Sequence, residues 1–298
     1  VLFPALLLAL LAVGPVSLCD AAQREVVVVQ SSDIKPFREA VEGFEETCGC
    51  VLKDIITLSP DNPDVVTRAL GMRPDGLLAL GQEALTRLQS VRTVPVLYTI
   101  VSSPPGAAAS AANISGVNML VHPEKQAEGI IKILPNIKRL GLIYNPARMG
   151  QFVERLTRSL RSHSVAVVAK KVNSSSAAAR ALQEMKGRVD ALLLLPDVTV
   201  ATPEMVDLML IFSYRNAAPV IAFSEKYVRM GALAAIMASP RDLGAQAGEL
   251  ARTQFSGSGH KKVVSYARKG MIIINTTIAQ KLGIKLREDL LRSSYRIE

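Results

Sequence analysis

Six polar clusters each follow an apolar run along this 298-residue chain: Gln30-Ser31-Ser32-Asp33, Gly81-Gln82-Glu83, Ser102-Ser103-Pro104, Tyr144-Asn145-Pro146, Pro196-Asp197 and Phe223-Ser224-Glu225. Hydroxyls, amides and carboxylates of this kind supply hydrogen-bond donors, acceptors and charge to a small zwitterion or polar solute. Tyr144 and Phe223 add aromatic surface beside them. The first cluster runs into a helix with Pro36 in its first turn, where free backbone N–H groups can hold a carboxylate. A plain N-cap by Ser32 or Asp33 is the alternative at that point. Each residue alone has an ordinary structural explanation, and only their co-location at strand ends carries weight.

The inventory for covalent chemistry is short. The chain has no Walker A loop, no G-x-G-x-x-G, no H-E-x-x-H and no G-x-S-x-G. Its three histidines stand apart: His122 before Pro123, His163 after an amphipathic helix, and His260 in a Gly/Ser/Lys loop. They fit surface or capping roles. Asp197 or Glu225 beside Ser31 or Ser102 could form a nucleophile–base pair, but no His, Cys or Lys stands at these strand ends to complete it. The expectation is a protein with no catalytic residues, no metal site and no cofactor. Cys48 and Cys50 flank Gly49 and leave three readings open. They could form a local disulfide, which closes a small strained ring, remain thiols, or take a redox or metal role that lacks further ligands nearby.

Strands and helices must position these clusters, and the chain alternates them. Strands are expected over 25–30, 51–58, 76–81, 94–100, 139–145, 165–172, 190–196, 219–224 and 232–237. Their continuous apolar runs suit strands buried on both faces. Helices are expected over 36–47, 62–71, 124–134, 150–162 and 202–216. Such alternation calls for parallel sheets covered by helices on both faces. The rhythm fills 25–101 and recurs over 139–224, with the Ala/Ser/Gly-rich stretch 103–118 expected as a loop and crossover. Two open α/β units in tandem suggest two lobes, with ligand held where strand carboxyl ends face each other.

Val1–Ala22 reads as a secretory signal peptide: an apolar core without charge to Leu18, closed by small residues, with cleavage after Ala21. A lipid-anchored Cys19 is the rival, disfavoured by bulky Leu18 before it, and a retained anchor is the third reading. No later run reaches spanning length. The net charge is +9. The bases are scattered, and the densest group, Arg155, Arg158 and Arg161, steps along one helix face, so a solvated basic surface is expected rather than a nucleic-acid partner.

Several segments resemble the ABC-transporter substrate-binding protein family, a branch of type I periplasmic binding proteins with tryptophan- and phenylalanine-binding members. They include PDGLLALGQEAL (74–85), VPVLYTIVSSP (94–104), NISGVNML (113–120), PEKQAEGIIKILPNIKRLGLIYNP (123–146), GRVDALLLLPDVTV (187–200), PVIAFSEKYVRMGALAAI (219–236) and IIINTTIAQKLGI (272–284). The resemblance implies two Rossmann-like three-layer lobes joined by a three-stranded hinge, lobe 1 over 24–118 and 240–263, lobe 2 over 119–239 with a C-terminal return over 264–298. It implies Venus-flytrap closure over a solute. By family position Ser31, Gln82, Ser102 and Ser103 line the first wall, and Asn145, Asp197, Ser224 and Glu225 the second; Tyr144, beside Asn145, is a further candidate ligand contact. The family usually has a small hydroxyl residue at Gln82 and an Asp at Ser103. After Tyr144-Asn145-Pro146 it often continues Asn-Ser where this chain has Met149-Gly150. With no carboxylate at 103, Asp197 and Glu225 are left to meet a ligand ammonium.

The expectation is a monomeric, periplasmic solute receptor serving an inner-membrane ABC permease, its ligand possibly an amino acid. The alternative is a periplasmic sensor feeding a membrane signalling protein. An enzyme on the same scaffold lacks apparatus, and a sugar-repressor-type regulator lacks a helix-turn-helix before the first strand.

Overall fold

The computed structural model describes residues 23–256 and 261–297; Val1–Ala22, with Cys19 and the signal-peptide reading, and His260 lie outside the described residues. The chain opens with β1 (Arg24–Gln30), α1 (Lys35–Cys48), β2 (Cys50–Thr57), α2 (Val65–Gly71), β3 (Gly76–Leu80), α3 (Gln82–Leu88), β4 (Val96–Val101), α4 (Gly106–Ser110) and β5 (Ile114–Val121). It then crosses to a second lobe. That lobe starts with α5 (Pro123–Ile133), β6 (Arg139–Tyr144), α6 (Pro146–Ser162), β7 (Ala166–Lys171) and α7 (Ser175–Gln183). It continues through β8 (Ala191–Leu193), α8 (Pro203–Asn216), β9 (Val220–Ala222), α9 (Glu225–Met230) and β10 (Ala234–Met237). A return through α10 (Pro240–Gln254) and β11 (Val264–Ala267) rejoins the first lobe. A third crossing leads to β12 (Met271–Asn275), α11 (Thr276–Lys281), α12 (Glu288–Ser293) and β13 (Tyr295–Ile297).

The result is two α/β lobes with mostly parallel sheets. The first sheet runs β11-β5-β4-β3-β1-β2 and every pair is parallel. The second runs β13-β12-β10-β9-β8-β6-β7, with only β10–β12 antiparallel. Burial explains the central strands. Val26, Val27, Val28 and Val29 are all fully buried, the even pair facing α1 and α10 and the odd pair facing α2 and α3. The α1/α10 side of the first sheet belongs to one apolar core that continues through Leu120 and Ile130 to Leu140 and Leu156 of the second lobe. Removing these side chains from water is the dominant favourable contribution to the fold.

Two expectations are corrected here. Residues 103–118 are not a plain loop: they hold α4 and the start of β5, whose apolar run is diluted by Ser115, Gly116 and Asn118. Residues 119–121 and 264–267 belong to the first sheet, because β5 runs on to Val121 and β11 pairs with it from Val264↔Gly116 onward. Lobe 1 therefore extends a few residues further than 118 and 263 at these two crossings.

Behind the first sheet α1 and α10 pack almost backbone to backbone. A Cβ on Gly244 would lie 1.9 Å from the Ala40 carbonyl oxygen, so no larger residue fits without moving a helix. Thr47 Oγ1 donates to the Ala245 carbonyl at 2.8 Å across the same contact. At the far end of α1, Cys48 and Cys50 are joined as a disulfide, which decides among the three readings left open by the sequence.

Candidate functional site

Because neighbouring strands are parallel, the carboxyl ends of β1, β3, β4 and β5 form one edge and those of β6, β8, β9 and β10 another. On the first edge Ser31 fastens β1 to α3. Its N–H and its Oγ both donate to the Leu80 carbonyl at 3.0 Å, and Oγ accepts the Ala84 N–H at 3.0 Å. Gly81 permits this approach: its φ is +89°, and a Cβ would sit 2.7 Å from Ser31 Oγ. Gln82 is the first residue of α3 and half-buried; its carbonyl accepts from Thr86 Oγ1 at 2.9 Å.

The N-cap alternative for α1 is not realised. Ile34 holds the cap position without a side-chain bond, Pro36 lies in the first turn, and Asp33 pairs with Arg38 at 2.6 Å. Ser102 and Ser103 are half-buried on the bend after β4. Just before them Ile100 has φ +55°, where the β4–β5 register shifts between Tyr98 and Val101. A β-branched residue in left-handed backbone is costly, and a bulge of this kind re-aims the residues that follow it. Burial pushes the Tyr98 hydroxyl's pKa well above its ordinary value, with Tyr266 adding to the effect.

Where β6 and β8 end, the second edge uses its polar groups internally. Asn145 caps α6 by accepting the Ala147 N–H at 3.0 Å, and its Nδ2 donates to Thr199 Oγ1 at 3.1 Å. Its backbone N–H donates to Asp197 Oδ2 at 2.6 Å, while Asp197 Oδ1 accepts the Thr199 N–H at 3.0 Å. Asp197 is 0% exposed. In this structure its carboxylate is thus engaged by the chain itself, bracing the end of β6 against the end of β8. Tyr144 is buried and lines a concavity of about 650 Å³ along α6 with Arg158, Arg161 and Lys171, apart from Ser224 and Glu225.

Ser224 and Glu225 start α9. Ser224 Oγ accepts the Lys226 N–H at 3.4 Å, and Glu225 pairs with Arg229 at 2.5 Å. Phe223 packs edge-on against Tyr227 with centroids 5.0 Å apart, and burial raises the Tyr227 pKa. Ser224 and Glu225 open on a groove of about 1080 Å³ whose opposite side is α1 of the first lobe. Lys35, Glu39, Arg229 and Arg241 line it too, and none was anticipated from sequence. Lys35/Glu39 and Glu225/Arg229 have the i,i+4 spacing of ordinary solvated pairs; only the fold shows that the two pairs share one groove. Ser31, Gln82, Ser102, Ser103, Asn145 and Asp197 are not among its lining residues. The expected positions thus fall into separate groups: the first edge, the Asn145–Asp197 brace, the α6 concavity, and the α1/α9 groove. Among the described residues no group of three or more His, Cys, Asp or Glu could hold a metal ion.

A family model described as ABC transporter substrate binding protein matches residues 68–297, and the chain belongs to that family. A tyrosine-binding protein of Clostridioides difficile is 24% identical over 237 residues, 76% of this chain and 68% of that protein. Among solved structures, a domain from Streptococcus pneumonia in complex with L-Trp superposes with a TM-score of 0.67 at 20% identity, covering 93% of this chain and 100% of the other. A ligand-free, open substrate-binding protein with adhesive properties from Clostridium difficile gives 0.69 at 21% identity, covering 92% and 99%. These two structures share the two-lobed fold seen here.

Proposed function

We propose that this chain is the extracytoplasmic solute-binding component of an ABC importer, and that it takes up an amino acid between its lobes and hands it to a membrane permease. The observation that carries the amino-acid reading is the α1/α9 groove. Lys35 from the first lobe and Glu225 from the second line one cavity, offering the opposite charges that a zwitterion's carboxylate and ammonium require. With Asp197 buried, Glu225, Glu39 and Glu42 are the groove carboxylates that can meet the ammonium, Glu42 already pairing with Arg241. The tyrosine-binding relative and the L-Trp-bound neighbour support an aromatic amino acid as the first solute to try. Closure would move these charges out of water, where each is worth more.

Among the described residues no helix is long and apolar enough to cross a membrane, so the permease is a separate partner in this proposal. Calorimetric titration with the twenty amino acids tests it. The expected result is saturable binding of one molecule of L-tyrosine or L-tryptophan per chain, weakened about tenfold or more by Glu225→Gln or Lys35→Met. A folded protein that binds none of the twenty contradicts it.

A further inference from the structure

The segment leading from β4 through Ser102-Ser103-Pro104-Pro105 into α4 has little to hold it. Helix α4 spans five residues, Gly106–Ser110, and only Ala108 of its side chains is buried. A helix that short is not stable on its own. Its last carbonyls lack intrahelical partners and carry the negative end of the helix dipole. In this structure those carbonyls converge on one side chain that arrives from more than 150 residues away. Lys262 Nζ donates to the carbonyls of Ala108 at 2.9 Å, Ala109 at 2.6 Å and Ala111 at 2.9 Å. An ammonium has three N–H donors, and here all three are matched.

The backbone that delivers Lys262 is fixed on both sides. Gln254 Nε2 donates to the Lys261 carbonyl at 3.2 Å, and the Val263 N–H donates to Ser115 Oγ at 3.0 Å. Ser115 Oγ in turn donates to Gln254 Oε1 at 3.1 Å, and the Gly116 N–H donates to the Val263 carbonyl at 2.8 Å. The lysine is therefore anchored to α10 and to the β5–β11 pair, both of which belong to the rigid sheet and its covering helix.

We propose that Lys262 is the positioning residue of the first ligand wall: its ammonium gathers the end of α4 and so sets where the loop carrying Ser102 and Ser103 stands. This rests on the proposed function and on the reading that lobe closure brings this loop, which does not line the α1/α9 groove in this structure, against the solute held there. Withdrawal from water lowers the Lys262 pKa, in keeping with an ammonium held among carbonyls rather than in solvent. Arginine can replace the charge but spreads its donors over a planar fork, so it restores the clamp in part. Methionine keeps the length and removes the donors.

The test is hydrogen–deuterium exchange and calorimetric titration of the full chain and its Lys262→Met and Lys262→Arg variants. The expected result for Lys262→Met is faster exchange of the Ala109 and Ala111 amides by about tenfold or more, with amides of α8 in the second lobe unchanged. Affinity for L-tyrosine or L-tryptophan falls by a similar factor, and Lys262→Arg recovers part of both losses. Unchanged exchange at Ala109 and Ala111 in Lys262→Met overturns the clamp. Faster exchange with unaltered affinity overturns the positioning role. Should the parent chain bind none of the twenty amino acids, the proposed function fails, while exchange at 106–111 still decides whether Lys262 holds α4.

Discussion

At the second lobe's carboxyl edge, Asn145 and Asp197 are bonded to each other and to Thr199, and Asp197 is sealed from solvent. At the first lobe's edge, Ser102 and Ser103 stand half-buried on a bend, preceded by a strained Ile100 and followed by a five-residue helix tied down by Lys262. The residue types at the two edges are alike: small hydroxyls, an amide, a carboxylate. What differs is whether their hydrogen-bonding capacity is already used. A satisfied, buried carboxylate is a brace that makes its edge rigid before any ligand arrives. A half-exposed hydroxyl on a clamped loop keeps its capacity for a solute. Where β6 and β8 end, the second lobe thus holds its polar groups in an internal brace, while the hydroxyls on the bend after β4 of the first lobe stay half-exposed.

The contrast breaks most visibly at Asp197. Asp197→Ala takes the acceptor from the half-buried Asn145 and Thr199 N–H groups and leaves a cavity, and a loss on the order of 2–3 kcal/mol is expected in urea unfolding. A change of only a few tenths would return Asp197 to the role of exposed ligand contact. Next in size is Gly244→Ala, which forces a methyl into the Ala40 backbone behind the first edge. About 2 kcal/mol of destabilisation is expected, with a lower thermal midpoint. A midpoint equal to the parent's would mean that α1 and α10 can part freely.

Ser31→Ala sharpens the comparison from the first edge. The serine caps α3 through the Ala84 N–H, so about 1 kcal/mol of stability is expected to go, measured by the same denaturation. Asp190 gives the smallest effect. Burial opposes its ionisation, but hydrogen bonds from the Arg139 guanidinium and from the Lys138 and Arg139 N–H groups hold its pKa below the ordinary carboxylate value. A carboxyl with a lowered folded-state pKa stabilises above the unfolded value, about 3.9, and that contribution is lost as pH falls through the folded one. Asp190 is partly exposed and screened, so Asp190→Asn is expected to flatten the acid limb of the stability profile by well under about 1 kcal/mol. An acid limb identical to the parent's contradicts this.

Much of the scaffold was legible because buried parallel strands leave continuous apolar runs, as Val26–Val29 and Ala191–Leu193 do. Of the strands that escaped, β12 (MIIIN) carries that mark but lies beyond the repeated rhythm, and the others lack it. β5 is interrupted by Ser115, Gly116 and Asn118, β11 is four residues long, and β13 exposes Tyr295 and Arg296. The carboxyl edges could be located from topology alone. Which of their groups remain free could not, since Asn145 and Asp197 are 52 residues apart and Lys262 reaches carbonyls more than 150 residues before it. Pairings at such separations leave no local pattern in a chain.

A crystal structure of the chain with L-tyrosine or L-tryptophan bound tests the central claim most directly. The account predicts the amino acid between the two lobes, its charges met by Lys35 and Glu225, Ser102 or Ser103 against it, and Asp197 still bonded to Asn145 and Thr199. A ligand seated instead in the α6 concavity beside Tyr144 and Arg158, or held by an Asp197 that has left its two N–H partners, would contradict it.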